Sequence, residues 1–449
     1  MTWLHELRQA GRALLRQRST TLLAIATLAL GIGANEAIFS VLDSVALRPL
    51  PFPDSDRLVR LYPAFFSARE ADAVRNETRS YDVLSMASSG SFQLLGEGRP
   101  EELDGLVIDA EHFAVFAQPP LHGRAFGPAD EEPGAEPVAI LGYDLWQRRF
   151  AGEDVLGRRL DLSGEGATGR TVIGIMPPGY RPLPWSTDLY VPGSAEPGTH
   201  EYEDMIRYRL IGRLAPASDL EQAQSELKTV IAQVAARGDG GFDQESADEA
   251  RVVGYLESLV GDVRDRLWLL LAVVGAVLLI ACTNVANLLL AQLGGREREL
   301  AVRSALGADK VRLIRQLLTE SALLGLVGGI AGVGVAALGL SLLRRLAPLD
   351  LPRLEGASLD ASVLAFALAV SMLASLLFGA LPALRGSRAL ERSLREGGRG
   401  STTSRRRLQW NDLLVGTEIA LCVLLAVGAG LLLKSLWNLG SVDPGFRLE

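Results

Sequence analysis

Leu267 to Gly295 reads LWLLLAVVGAVLLIACTNVANLLLAQLGG, and no charge interrupts the chain between Arg266 and Arg296. A helix needs about 20 apolar residues to cross the hydrocarbon core of a bilayer, and this stretch exceeds that. Four more runs behave alike. TTLLAIATLALGIGANEAIFSVLDSVAL, residues 20–47, carries only Glu36 and Asp43, both in its second half. No charge lies between Glu320 and Arg344, or between Asp360 and Arg385, and the run from Leu413 to Leu433 contains only Glu418. Five such runs are more than a soluble core uses, so the chain reads as a multi-pass α-helical membrane protein. Arg8, Arg12, Arg16 and Arg18 precede the first run as they would in a secretory signal. The run continues past signal-peptide length towards Leu47, which suits an uncleaved anchor.

The remaining composition separates charge from oil. Hydrophobic residues make up 48% of 449 and charged ones 22%, with a net charge of −8. That charge is +2 over residues 1–50, −17 over 51–262 and +7 over 263–449. An acidic, water-soluble middle is therefore held between basic, apolar ends, and no basic face for nucleic acid is expected. Cys282 and Cys422 both lie in apolar runs, so the soluble part carries no disulfide framework.

Orientation follows from Arg and Lys in the flanks. Four Arg precede the first run, six basic residues (Arg296, Arg298, Arg303, Lys310, Arg312, Arg315) follow the second, and eight Arg lie between Arg385 and Arg407. Only Arg344, Arg345 and Arg353 follow the third. The expected organisation is a cytoplasmic interfacial amphipathic helix over 1–19, a first crossing over 20–48, and an extracytoplasmic domain over 49–262. Crossings over 263–293, 321–343, 361–384 and 413–436 come next. A cytoplasmic connector occupies 294–320, a loose basic linker 385–412, and an extracytoplasmic tail 437–449.

Residues 49–262 mix strand-like and helix-like pieces. PVAIL reads as a strand and GYDLWQRRFAG as a helix. RRLDLSGEGATGRTVIGIMPPGY reads as a hairpin, and RYRLIGRLAP as another strand. SDLEQAQSELKTVIAQVAAR reads as a helix with Ser218 as N-cap and Leu220, Ala223, Leu227, Val230, Ile231 and Val234 on one face. No catalytic pattern stands out. The four His have no metal-ligand spacing, and the acidic clusters Glu131–Glu132 and Glu101–Glu102–Asp104 read as a solvated face rather than a Ca²⁺ loop. A Walker A motif needs Gly directly before Lys. The three lysines Lys228, Lys310 and Lys434 follow Leu, Asp and Leu, so no P-loop ATPase and no cofactor is expected on this chain.

RERELAVRSALGADKVRLIRQLLTESALLGLVGGIAG resembles the signature of MacB/FtsX-like permeases, the membrane subunits of type VII ABC transporters. GIGANEAIFSVLDSVALRPLPFPDSDRLVRL resembles the first crossing of their tandem-duplicated (ADOP-like) members. LWQRRFAGEDVLGRRLDLSG, TVIGIMPPGY and RLAPASDLEQAQSEL look like their extracytoplasmic core domain. Glu36 departs from the small polar residue such members carry after Gly33-Ala34-Asn35. The resemblance implies a four-helix FtsX-like unit with the mixed α/β domain inserted between helices 1 and 2. The fifth run is then the first helix of a second unit.

The resemblance also gives the charge-dense connector a purpose, contact with an ABC ATPase through Arg296, Glu297, Arg298, Glu299, Arg303, Leu306, Gly307 and Ala308. ATP acts only through that partner. Gly325 and Gly329, and separately Gly328, Gly332 and Ala336, recur every four residues in the third crossing and are expected to pack against other helices. Glu36 and Glu418 are acids inside crossings and hence candidate functional positions. Other expected partners are a second permease unit, the membrane, and an extracytoplasmic protein. The function implied is that of an ABC permease working by mechanotransmission. An FtsX-like regulator of an extracytoplasmic hydrolase and an ATPase-independent sensor are the alternatives.

Overall fold

A computed structural model describes residues 3–95, 100–132, 134–163, 169–183, 187–193, 207–237, 242, 244–295, 310–346, 353, 356–395 and 404–440. Helices α1 (Trp3–Arg16) and α2 (Arg18–Leu42) come first, and α2 passes into a π-helical turn, Asp43–Leu47. Then follow β1 (Leu58–Phe66), α3 (Ala68–Glu77), β2 (Tyr81–Leu95), β3 (Glu101–Ile108), α4 (His112–Val115), β4 (His122–Gly123), β5 (Val138–Leu141) and α5 (Tyr143–Phe150). After these come β6 (Arg159–Ser163), β7 (Arg170–Ile175), β8 (Leu189–Pro192), β9 (Tyr208–Leu214), α6 (Leu220–Arg237), α7 (Gln244–Glu249) and β10 (Arg251–Gly254). Four long helices end the chain: α8 (Tyr255–Gly295), α9 (Lys310–Leu346), α10 (Ala361–Arg395) and α11 (Ser404–Gly440). Contacts divide the chain into two units: Met1–Val45, Val263–Ala347 and Leu354–Glu449, and separately Ala46–Asp262 with Pro348–Arg353.

In the helical unit, four stretches among the described residues are long and apolar enough to cross a membrane: Arg18–Leu47, Val263–Gln292, Arg315–Arg345 and Val415–Ser435. A shorter apolar stretch, Ala361–Leu377, lies in α10. Ala24, Leu28 and Ile32 of α2, Cys282, Val285 and Ala286 of α8, Leu324 of α9 and Ala374 of α10 make one buried core. Such a core is what four helices with apolar stripes form when packed together. None of the span in α11 is buried. Its Ile419, Leu424, Leu431 and Trp437 are exposed, as they would be facing lipid.

Helix extends further than the sequence suggested. The described residues of the stretch 385–412, expected to be a loose linker, are helical. Helix runs to Arg395 and again from Ser404, because Ala, Leu, Glu and Arg in RALERSLR are strong helix formers that do not need an apolar face. α8 begins ahead of residue 263, α9 begins inside the 294–320 connector, and α11 runs past residue 436.

In the other unit, ten strands form a mixed sheet ordered β10-β1-β9-β2-β3-β8-β5-β7-β4, with β6 bridging β2 and β7. β2, β3, β8, β5, β7 and β6 pair in a closed ring, and the two-residue β4 pairs with β7 alone. All six give side chains to one core, among them Phe92, Leu103, Leu189, Leu141, Val172 and Leu162. The open half, β10-β1-β9, buries Val59, Leu61 and Leu210 under α6 through Leu227, Val230 and Ile231. Ser67 and Glu70 close a capping box at α3. At α6 the cap is Asp219, not Ser218. The Gln222 amide donates to Asp219 Oδ1 at 2.8 Å, because Asp219 directly precedes the first helical residue.

Candidate functional site

Arg296, Glu297, Arg298, Glu299, Arg303, Leu306, Gly307 and Ala308 lie outside the described residues. The structure gives their frame: α8 ends at Gly295 and α9 starts at Lys310. One turn into the described part of α9, Gln316 Nε2 donates to Glu320 Oε1 at 3.2 Å, and Glu320 and Ser321 are both buried.

The glycines of α9 point two ways. On one face, a β-carbon at Gly328 would stand 2.9 Å from Leu28 Cβ, and one at Gly332 would stand 3.1 Å from Ile32 Cγ2. One at Gly33 of α2 would stand 2.7 Å from the Gly332 carbonyl oxygen. Ala336 is buried on the same stripe. The backbones of α2 and α9 therefore touch, as helices with small residues every fourth position can.

On the other face, α9 meets α10 through three pairs. A β-carbon at Gly325 would overlap Ser375 Oγ, one at Gly329 would overlap Ser371 Oγ, and one at Gly379 would stand 2.6 Å from Ser321 Cβ. Ser375 Oγ donates to the Ser371 carbonyl of its own helix at 2.7 Å, so its hydroxyl is satisfied without crossing the seam. Near the far end of α9, Arg344 donates to the Ala357 carbonyl. Phe39 of α2 stacks on Phe366 of α10 with ring centroids 3.9 Å apart, and Ser40 Oγ donates to the Ser358 carbonyl at 3.1 Å.

Glu36 is fully buried in α2, and among the described residues neither carboxylate oxygen has a hydrogen-bond partner. Its neighbour Asn35 is satisfied, donating to the carbonyls of Gly31 (2.8 Å) and Val274 (3.0 Å), which ties α2 to α8. Glu418 is half-buried on α11, as are Leu421 and Leu425, and none of that span is buried.

In the sheet unit Glu102, Asp104 and Glu132 of the acidic clusters are exposed, as expected of a solvated face, and the buried acid is a neighbour outside both clusters. Asp109 is buried, pairs with Arg75, and accepts the Met86 amide at 2.8 Å. Glu131 is half-buried and accepts the Ala110 amide. Burial pushes the Asp109 carboxyl up to about 6 against the pull of Arg75. Burial, with Asp109 and Glu111 adding to it, pushes Glu131 up to about 7. His112, fully buried, has Nδ1 3.1 Å from Ser85 Oγ, and burial drives its pKa down to about 3. Ser85 is itself buried, so this serine–histidine pair has no substrate access and works as a core contact. Glu101 pairs with Arg148 at 2.9 Å.

Two family models match in succession. The MacB-like periplasmic core domain matches residues 21–230, and the FtsX-like permease C-terminal domain matches 271–389. The chain belongs to the MacB/FtsX-like ABC permeases. It is 28% identical over 290 residues to the pyoverdine export ATP-binding/permease protein PvdT of Pseudomonas syringae pv. tomato, covering 62% of this chain and 40% of that protein. It is 23% identical to the uncharacterized ABC transporter permease YknZ of Bacillus subtilis, covering 68% of this chain and 73% of that one. Identity to the macrolide export protein MacB of Bdellovibrio bacteriovorus is 22%, over 81% of this chain and 55% of that one. The chain thus spans about two fifths of the length of the PvdT protein it matches.

As a MacB/FtsX-like permease, the chain is a membrane protein with an extracytoplasmic domain, which the sheet unit supplies. The FtsX-like match ends at 389, ahead of α11. Ser321, Ser371, Ser375 and Gly379 form the α9–α10 seam of this unit without having been singled out from the sequence. Their own spacing of four in α10 was the available signal.

Proposed function

We propose that the chain is the permease subunit of an ABC exporter in the plasma membrane, with its N-terminus in the cytoplasm and its sheet unit outside. A separate ABC ATPase engages the 294–310 part of the connector. Closure of the ATPases on ATP moves α8 and α9, and the extracytoplasmic domain changes shape in response. Substrate need not pass between the helices. Export is the direction carried by the names of the PvdT and MacB relatives. A second permease unit, for which α11 is the first helix, completes the assembly. The stop of the FtsX-like match before α11 and the absence of burial on its span support that reading.

The observation that carries the coupling is the placement of the connector between α8 and α9. Both belong to the buried helical core, and glycines of α9 bring its backbone against side chains of two further helices. Force on the connector therefore reaches α2 and α10 through close contacts of the α9 backbone with Leu28, Ile32, Ser371 and Ser375. The test is recovery of the ATPase with Glu299→Arg/Arg303→Glu and with Gly307→Leu, beside a membrane-fraction blot. Swapping the two charges keeps the topology signal and sets each against the wrong partner group, which costs several kcal/mol at an interface. Normal membrane levels with lost ATPase recovery are expected. Equal recovery and normal function with both variants would reduce the connector to a topology signal.

A further inference from the structure

The chain passes between its two units after Val45, Asp262, Ala347 and Arg353. The last two passages bracket a short piece, Pro348–Arg353, that belongs with the sheet unit. Yet α9 before it and α10 after it belong to the helical one. Arg353 is the described residue of that piece. Its Nη1 donates to the Arg48 carbonyl at 2.8 Å and its Nη2 to the Pro49 carbonyl at 2.9 Å. A guanidinium is a rigid planar fork, so bonds to two successive carbonyls fix direction as well as position. Arg353 has a φ of 61°, in the left-handed region. A residue other than glycine stays there when its surroundings hold it.

Arg48 and Pro49 open the entry into the sheet unit, and that entry is stiff. RPLPFPD, residues 48–54, alternates Pro49, Pro51 and Pro53 with other residues. Each proline fixes its own φ and restricts the residue before it. Leu50 and Phe52, between the prolines, are buried in one core with Phe116 and Tyr180. A second guanidinium holds the far end. Arg213 of β9, itself buried, donates to the carbonyls of Pro53 at 3.0 Å and Asp54 at 3.3 Å. It also donates to the Val115 carbonyl of α4 at 2.8 Å. β9 pairs with both β1 and β2. A displacement at Arg48 and Pro49 therefore enters a strut that ends on an inner strand of the sheet.

On the helical side the residues just after Arg353 are held as well. The Ser358 carbonyl accepts Ser40 Oγ of α2 at 3.1 Å, and Arg344 of α9 donates to the carbonyl of the buried Ala357. A chain spans at most about 3.6 Å per residue. The tether from Ala357 back to Arg353 is thus short and has little slack.

We propose that Arg353 is a positioning residue through which displacement of α9 and α10 is handed to the sheet unit, by way of the 48–54 strut. This rests on the reading of the chain as a mechanotransmitting permease. It adds a third route to the two covalent ones, from α2 into residue 46 and from residue 262 into α8.

The full chain in nanodiscs is followed by hydrogen exchange over peptides covering residues 46–66. Gly325→Ala disturbs the contact of α9 with α10, and Arg353→Asn removes the grip while keeping a residue that tolerates positive φ. Wild type, the two single variants and the double variant form a cycle. With Arg353 present, Gly325→Ala is expected to speed exchange over 46–66 by about threefold or more, the order of coupling between linked sites. With Arg353→Asn it should have little effect there, and Arg353→Lys should recover part of the response. A role confined to local stability would raise exchange in Arg353→Asn alone and leave the two substitutions additive. If Gly325→Ala does not reach the membrane, Arg344→Gln, which cuts the contact of α9 with Ala357, is read in its place. Additive effects, or no effect of either disturbance on 46–66 in the presence of Arg353, would overturn the proposal. The cycle needs no ATPase, so failure of wild type to recover an ATPase counts against the proposed function alone. With a co-purified ATPase, ATP should change exchange over 46–66 in wild type and much less in Arg353→Asn. Equal changes in the two would also overturn the role of Arg353.

Discussion

Gly325 faces Ser375 with no room for a side chain between them: a β-carbon on the glycine would overlap the serine Oγ and stand 3.0 Å from the Ser371 carbonyl oxygen. Gly325→Ala is therefore expected to destabilise the helical unit, overpacking costing roughly 1–3 kcal/mol. Removing the opposing side chain in Gly325→Ala/Ser375→Gly should recover most of the loss. Gly334→Ala, where nothing lies within 4 Å, should be neutral or mildly stabilising. Thermal unfolding in detergent compares the four proteins. Equal midpoints for the Gly325 and Gly334 variants would contradict this seam.

Glu36 is buried, and among the described residues neither of its carboxylate oxygens has a partner. A buried acceptor left unmade costs roughly 1–3 kcal/mol. Glu36→Met, of similar volume, is expected to raise the unfolding midpoint by removing that cost. A lower midpoint would mean that the carboxyl has a stabilising partner. Higher stability with loss of ATP-dependent function would mark Glu36 as a working residue.

The carboxyls of Asp109 and Glu131 are raised from their ordinary values of 3.8 and 4.5 to about 6 and about 7. The folded domain thus keeps protons that the unfolded chain releases. The stability this contributes is complete below the unfolded values and is lost as pH rises through the folded ones. His112, lowered from 6.5 to about 3, works the other way and takes stability away as pH falls below 6.5. Glu131 therefore dominates above that point. Wild type should lose stability between about pH 6 and pH 8 relative to Glu131→Gln, which keeps an acceptor for the Ala110 amide. Parallel pH curves for the two proteins would refute the assignment.

Orientation is open to direct labelling. With Cys282 and Cys422 replaced, Ser163→Cys at the end of β6 should react with a membrane-impermeant thiol reagent in intact spheroplasts. Reaction only after lysis would invert the proposed topology.

The parts of this fold that could be read in the sequence are those with a local cause. Charge-free runs mark the crossings, and the α6 stripe is buried at Ala223, Leu227, Val230, Ile231 and Val234. Leu220, the first residue of that helix, stays exposed. β2 was not legible. Its centre, SMASSG, is poor in β-formers, and the strand owes its 15 residues to neighbours on both sides. The capping box at Ser67 and Glu70 was a local signal that went unread. Gly325 and Gly328 were recognisable from spacing, but which helix each would meet was not, because that depends on contacts distant in sequence. Glu131 fails for the same reason: its partner, the Ala110 amide, comes from another part of the domain.

The α9–α10 seam pairs Ser321 with Gly379, Gly325 with Ser375 and Gly329 with Ser371, and both helices repeat their small residues every four positions. Such a surface is periodic. Sliding one helix by a turn, about 6 Å, would set Ser321 on Ser375, Gly325 on Ser371 and Gly329 on Ala367, and each new pair is again small. Sliding the other way would set Gly325 on Gly379 and Gly329 on Ser375. Among the described residues no hydrogen bond links the three pairs, so neither displacement breaks one there. The seam is thus a smooth track with nearly equivalent stops a turn apart. The catches that select one stop are at one end, where Arg344 grips the Ala357 carbonyl and Phe39 lies flat on Phe366.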